Sequence, residues 1–181
     1  EKRNHAGEAL KPFDLISAKA AVAFYRLGNQ ADLMNLHNND FTANLTLKIK
    51  HILLNELNLT RDFLQRVNIF DSKNQLTGTF KNYFVQTLSL YCVHQNQGPG
   101  SILPVHTKAG WMVSHISSQE IADHFAHITQ SIYHAFAFLN ENQKVYNLGE
   151  LPFRPLFLPI AFLFSVLGDQ CCKPESREFL N

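Results

Sequence analysis

The run Ser117-Ser118-Gln119-Glu120, followed by Ile121, Phe125, Ile128, Ile132, Ala135, Phe136 and Leu139, leaves the chain little conformational choice. Ser117 and Glu120 form a capping box, in which each side chain satisfies a backbone N–H left open at a helix start. The apolar residues recur three or four apart, which gathers them on one face of a helix and scatters them over both faces of a strand. A helix from about Ser118 to Asn140 follows, the longest in the chain, with that stripe buried.

The same periodicity recurs elsewhere, and strand signals are scarce. A first helix is expected from about Pro12 to Leu27, ending at Gly28-Asn29, with Leu15, Ala18, Val22 and Tyr25/Arg26 at helical spacing. A short turn over about Ala31 to Leu36 comes next. A helix over about Ala43 to Leu57 has Asp40 or Thr42 as its cap and Leu45, Ile49, Ile52/Leu53 and Glu56/Leu57 near one stripe. Thr60 is placed to cap a helix from Arg61 to about Ile69, and Asp71-Ser72-Lys73-Asn74 reads as a turn. A helix over Thr79 to about His94 buries Phe80, Phe84, Leu88 and Tyr91. Gln95 to Ser101, with Gly98-Pro99-Gly100, reads as an internal loop, and residues 102–116 as a short strand or ordered loop around Pro104 and Gly110. The last helix, about Leu156 to Leu167, ends at Gly168. It is too short to span a membrane comfortably and contains Pro159. The expected fold is all-α: one irregular domain of about six or seven helices spanning residues 1–181.

Composition narrows the function classes. Hydrophobic residues make up 45%, too many for disorder over most of the length. Sixteen Lys and Arg against 15 Asp and Glu give no whole-protein field to draw nucleic acid or a membrane. The charge is uneven, however. Residues 44–81 set Lys48, Lys50, Arg61, Arg66, Lys73 and Lys81 against Glu56, Asp62 and Asp71, while residues 113–150 are acidic to a similar degree. The basic stretch, through Lys48, Lys50, Arg61 and Arg66, is the candidate nucleic-acid contact. Cys92, Cys171 and Cys172 make an odd count with an adjacent pair, which is no disulfide framework and suits a reducing, cytoplasmic compartment.

The start of the chain reads Asn4-His5-Ala6-Gly7-Glu8-Ala9-Leu10-Lys11-Pro12-Phe13-Asp14-Leu15. Gly7 permits a positive φ, Pro12 suits a first helical turn, and Asp14 complements the helix dipole. The spacing N-x-x-G-x-x-L-x-x-F-D-L, carried by Asn4, Gly7, Leu10, Phe13, Asp14 and Leu15, resembles the segment that closes the nucleotidase domain of GmrSD-like restriction proteins. A second point of resemblance lies near the other end: Phe138-Leu139, then Leu151-Pro152, Pro155-Leu156 and Leu158-Pro159 before an apolar helix. It is similar to the "fL…lP…plvPla" pattern of that family's helical region, in the same order. The family usually has Arg two places before the motif Asn, where this chain has Lys2.

The resemblance implies a helical region that follows a ParB/sulfiredoxin-like nucleotidase, with residues 1–11 as the end of a preceding domain or linker. The full protein would then be a nucleotide-dependent endonuclease of a bacterial restriction or phage-defence system, using a nucleotide and a divalent metal. Its partner would be the remainder of the same polypeptide or a nuclease subunit, and DNA, with no membrane. These residues contain no D-G-Q-Q-R run, no H-x-x-P nuclease motif and no G-x-x-x-x-G-K-[ST] loop, so this region is expected to be non-catalytic and to hold no cofactor itself. The alternative is a free-standing helical interaction module without a nucleic-acid role.

The remaining chemistry candidates are few. His124 and His127 share a broad helix face with His134, and Asp123 precedes His127 by four, but the pair lacks the H-E-x-x-H spacing of a persuasive metal site. A polar helix face is the expectation, with no metal bound. Cys92 falls inside a helix pattern and reads as a buried thiol. Trp111, Phe153 and Arg154 are the candidates for partner contact, by residue type, with Trp111 expected to sit in the core beneath the linker.

Overall fold

A computed structural model describes residues 10–28, 44–149 and 156–168. Seven α-helices and no strand occur among them. They are α1 (Pro12–Gly28), α2 (Leu45–His51), α3 (Arg61–Arg66), α4 (Gly78–Gln97), α5 (Ala109–His115), α6 (Ser118–Gln143) and α7 (Phe157–Leu167). Side chains from all seven meet in one apolar core, so the fold is an all-α domain as its periodicity requires.

The long helix α6 organises the packing. Ser117 Oγ accepts the Glu120 N–H at 3.1 Å, and the Glu120 carboxylate accepts the Ser117 N–H at 2.7 Å, which is the reciprocal box read from the sequence. Ile121, Ile128, Ile132, Ala135, Phe136 and Leu139 are buried along its stripe. The two most extensive helix–helix contacts in the molecule are α7 and α1 against α6. Phe138 and Phe164 pack at 5.8 Å in the first, and Phe24 meets Phe125 edge to face at 5.3 Å in the second. Helix α4 lies alongside all three, with Phe80, Phe84 and Leu88 fully buried.

Several elements differ from expectation. Helix α1 buries Phe13, Ile16, Ala20, Ala23 and Phe24, while Ala18, Val22 and Tyr25 of the other helical series face solvent. The helix carries two apolar series, and the larger aromatic rings at 13 and 24 decide which one faces the core. The cap of α2 is Asn44, whose side chain accepts the Leu47 N–H at 3.3 Å, rather than Asp40 or Thr42. Beyond His51 the helix widens into a π-turn over Ile52–Glu56, which keeps Ile52 and Leu53 buried and ends at Asn58 with φ of 50°. Thr60 does cap α3, but the helix stops at Arg66 instead of Ile69. Asn68, at φ of 61°, turns the chain so that Ile69 and Phe70 enter the core. Helix α4 is capped by Thr77 and continues to Gln97, so the linker begins only at Gly98, where φ is 86°. Residues 102–116 contain no strand: a 3₁₀ turn spans Pro104–Thr107 and α5 follows. Gly168 ends α7 as expected, at φ of 55° with its N–H on the Phe164 carbonyl. The turn expected near Ala31–Leu36 lies outside the described residues.

Candidate functional site

The basic stretch does not form one face. Lys48 and Lys50 are two apart on α2, and positions two apart point in different directions on a helix. Lys48 leans over the Phe24 ring at 4.7 Å and towards Phe125 at 6.0 Å, on the α1–α6 side. Burial there pushes its ammonium below the ordinary lysine value. Lys50 instead donates to the Gln75 side chain at 3.0 Å and lies 5.8 Å from the Phe70 ring. Its ammonium is also held low, first by burial and then by the charges of Arg61 and Lys81, which Asp71 opposes. Lys50 therefore has the Asp71 carboxylate, Arg61 and Lys81 as charged neighbours, while Lys48 lies on the α1–α6 side. Arg66 is exposed and sits 5.7 Å from the Phe63 ring.

A cleft of about 450 Å³ opens between the start of α1 and the start of α4. Lys11, Phe13, Asp71, Gly78, Lys81 and Asn82 are among its walls. A second cleft of about 620 Å³ continues past Lys11, Gly78 and Asn82 towards Gln86 and Leu158. The loop before α4 is stiffly built. Asp71 Oδ1 accepts the Lys73 and Gln75 N–H groups at 2.8 Å each. Thr77 Oγ1 donates to the Asn68 carbonyl at 2.8 Å and accepts the Phe80 N–H at 3.2 Å. The Gln75 N–H bond, acting against partial desolvation, holds the Asp71 carboxyl below its usual range together with Lys73 and Lys50.

Lys11 and Lys81 escaped the sequence reading as site residues, although a signal exists for both. Lys11 stands at the entry to α1 and Lys81 in the first turn of α4, where helix dipoles disfavour cations. Lys81 also rests 5.4 Å from the Phe13 ring. Lys11 and Lys81 share the cleft with the Asp71 carboxylate, so its walls carry charges of both signs.

The motif residues that can be described are integrated into this end. Phe13 is buried and meets Phe84 of α4 edge to face at 5.8 Å. The Asp14 carboxylate accepts the Lys11 N–H at 3.2 Å. Leu10 and Leu15 are half-buried. Asn4, Gly7, Phe153 and Arg154 lie outside the described residues.

The structure brings His124 and His127 together around Tyr91, each ring 5.1 Å from it. His127 Nε2 lies 2.7 Å from the Ser165 carbonyl oxygen. A carbonyl only accepts, so Nε2 carries the proton and serves to join α6 to α7. His134 instead packs on its neighbour Tyr133. Among the described residues no group of three or more His, Cys, Asp or Glu is placed to hold a metal ion. Cys92 is buried, and burial, with the Glu120 charge, pushes its thiol up to about 12.

Trp111 is half-buried against the core, not enclosed by it. Its ring stacks on His115 at 4.4 Å, nearly parallel, and meets His106 at 4.5 Å. Leu103 and Val105, in the turn that carries His106, are exposed at 55% and 38%. No described helix is long and apolar enough to cross a membrane.

Compared with known proteins, the chain matches no family model, no curated protein and no solved structure.

Proposed function

We propose that this chain is the non-catalytic helical domain of a GmrSD-like, nucleotide-dependent DNA restriction or phage-defence protein. It connects the nucleotidase part to a nuclease part or partner subunit. The observation that supports this reading best is a convergence in space. The segment at Phe13-Asp14-Leu15 opens α1, the segment around Leu158-Pro159 opens α7, and both helices pack on the same long helix α6. Phe138-Leu139, the first part of the second segment, is on α6 itself. Two stretches that resemble one family therefore belong to one packing unit. In such a protein the nucleotide and the divalent metal belong to the catalytic part.

In this reading DNA is touched at the α1–α4 end by Lys11, Lys50, Arg61 and Lys81, and Lys48 and Arg66 are peripheral. Duplex binding measured against salt tests it. Each phosphate contact adds about 0.9 to the slope of log K against log salt. Replacing Lys50, Arg61 and Lys81 together by alanine should lower the slope by about 2 to 3, whereas Lys48→Ala should leave it nearly unchanged.

A second reading, a free-standing helical interaction module, is favoured by the exposed Leu103 and Val105 and by half-buried Trp111. Salt-insensitive behaviour towards DNA, with no effect of the triple substitution, would select it.

A further inference from the structure

His106 is a buried titratable side chain for which neither reading has a use. It is 6% exposed, in the 3₁₀ turn between α4 and α5. Its Nδ1 lies 3.0 Å from the Leu103 backbone nitrogen, which is a donor. Nδ1 must therefore present a lone pair, and the ring must be neutral. The His106 carbonyl accepts the Ser89 hydroxyl of α4 at 2.6 Å, and the ring packs on Trp111 of α5. One side chain thus closes the turn on itself, and its residue ties the turn to both neighbouring helices.

We infer that His106 is a proton-sensitive fastener for the turn over residues 103–107 and for the seat of Trp111. A second proton on the imidazole makes both nitrogens donors. The Leu103 N–H then faces an N–H, and a cation sits at a buried position. Among the described residues the contacts of His106 are with Leu103, Ser89 and Trp111, none of them anionic. From α4 the contact is the neutral Ser89 hydroxyl; Cys92, one turn further along, stays a neutral thiol. The carboxylate that reaches Cys92 is Glu120 of α6, which is already bonded to Ser117 and Asn96. From the α5 side come Lys108, exposed, and His115, stacked on Trp111 and bonded to its carbonyl, neither of them an anion. Acid therefore loosens the turn, which carries Leu103 and Val105, and uncovers Trp111.

The experiment uses the fluorescence of the full chain, in which Trp111 is the one tryptophan. The scan runs from about pH 8 down to about pH 4, across and below the range in which a free imidazole takes up its proton. The wild type should show a red shift of emission and easier quenching by acrylamide, reversible on return to pH 8. His106→Asn supplies a side-chain oxygen for the Leu103 N–H and cannot be protonated, so the shift should vanish. His115→Asn should keep the shift while removing any loss of intensity caused by the stacked imidazolium. An absent shift in the wild type, an unaltered shift in His106→Asn, or loss of the shift in His115→Asn would overturn the inference. Should His106→Asn not fold at pH 8, exchange of the Leu103 amide in the wild type decides. Protection that falls in step with imidazole protonation supports the fastener, and unchanged protection refutes it.

Discussion

The contact between Phe13 and Phe84 joins the motif-bearing start of α1 to α4, and its energy can be worked out. Phe84 is fully buried and Phe13 is 5% exposed, so truncation of either forfeits almost the whole transfer free energy. Phe84→Ala removes a ring that also stacks on Phe80 at 6.5 Å, and should cost about 3–5 kcal/mol in transfer and cavity terms together. For a chain of this size each kcal/mol lowers Tm by about 2–4 °C. Middle values, about 4 kcal/mol and about 3 °C for each, give a fall of about 12 °C. Phe13→Leu and Phe84→Leu keep most of the apolar volume and should cost about 1–2 kcal/mol each. The edge-to-face geometry adds a pairwise part that only two rings can supply, about 0.5–1.5 kcal/mol. A double-mutant cycle on the two leucine variants, read by urea denaturation, isolates that part. Strict additivity, within about 0.3 kcal/mol, would mean that Phe13 does not dock on α4. The start of α1 would then be an independent appendage, and the convergence of the two segments on α6 would lose its meaning.

Other consequences follow from the same packing. Burial raises the Glu120 carboxyl, but bonds from Ser117 and Asn96 and the nearby His124 outweigh it and hold the carboxyl below its ordinary value. A carboxyl depressed by folding adds stability that is complete above its unfolded-state value, about 4.3, and is lost as pH falls through the folded value. Ser117→Ala should cost about 1 kcal/mol at neutral pH, and in Glu120→Gln the stability should depend less on pH below about 5; urea midpoints at stepped pH check both. Cys92 should resist iodoacetamide in the native protein at pH 8 and react in denaturant, as peptide mass mapping would reveal; rapid native labelling would contradict its burial.

How much of this was legible in the sequence depends on which force decided each element. Local chemistry was readable: Thr60, Ser117 and Gly168 act at their helix ends as the capping rules say. Stripe positions on α6 were readable because one face alone is apolar. Helix α1 has apolar residues in two series, so its orientation is a tertiary outcome that no single-helix pattern settles. The helix over Ala109–His115 was obscured by Pro104 and Gly110, which suggest a break. Pro104 opens the preceding 3₁₀ turn, where its missing N–H costs nothing, and Gly110 is exposed in a first turn. At the candidate site, Lys50 and Arg61 were legible as cations, and the separation of Lys50 from Lys48 followed from helix geometry alone. The parts played by Lys11 and Lys81 were not, since the two come from helices that only the tertiary fold brings together.

The central claim is that this helical domain serves a GmrSD-like enzyme, and the most direct measurement is the nucleotide sequence of the source gene upstream of the Glu1 codon. The account predicts an open frame continuing upstream that encodes a nucleotidase domain with a D-G-Q-Q-R run. A start codon at or just before Glu1, with no such region in the frame, would contradict it and leave the helical interaction module as the reading of this fold.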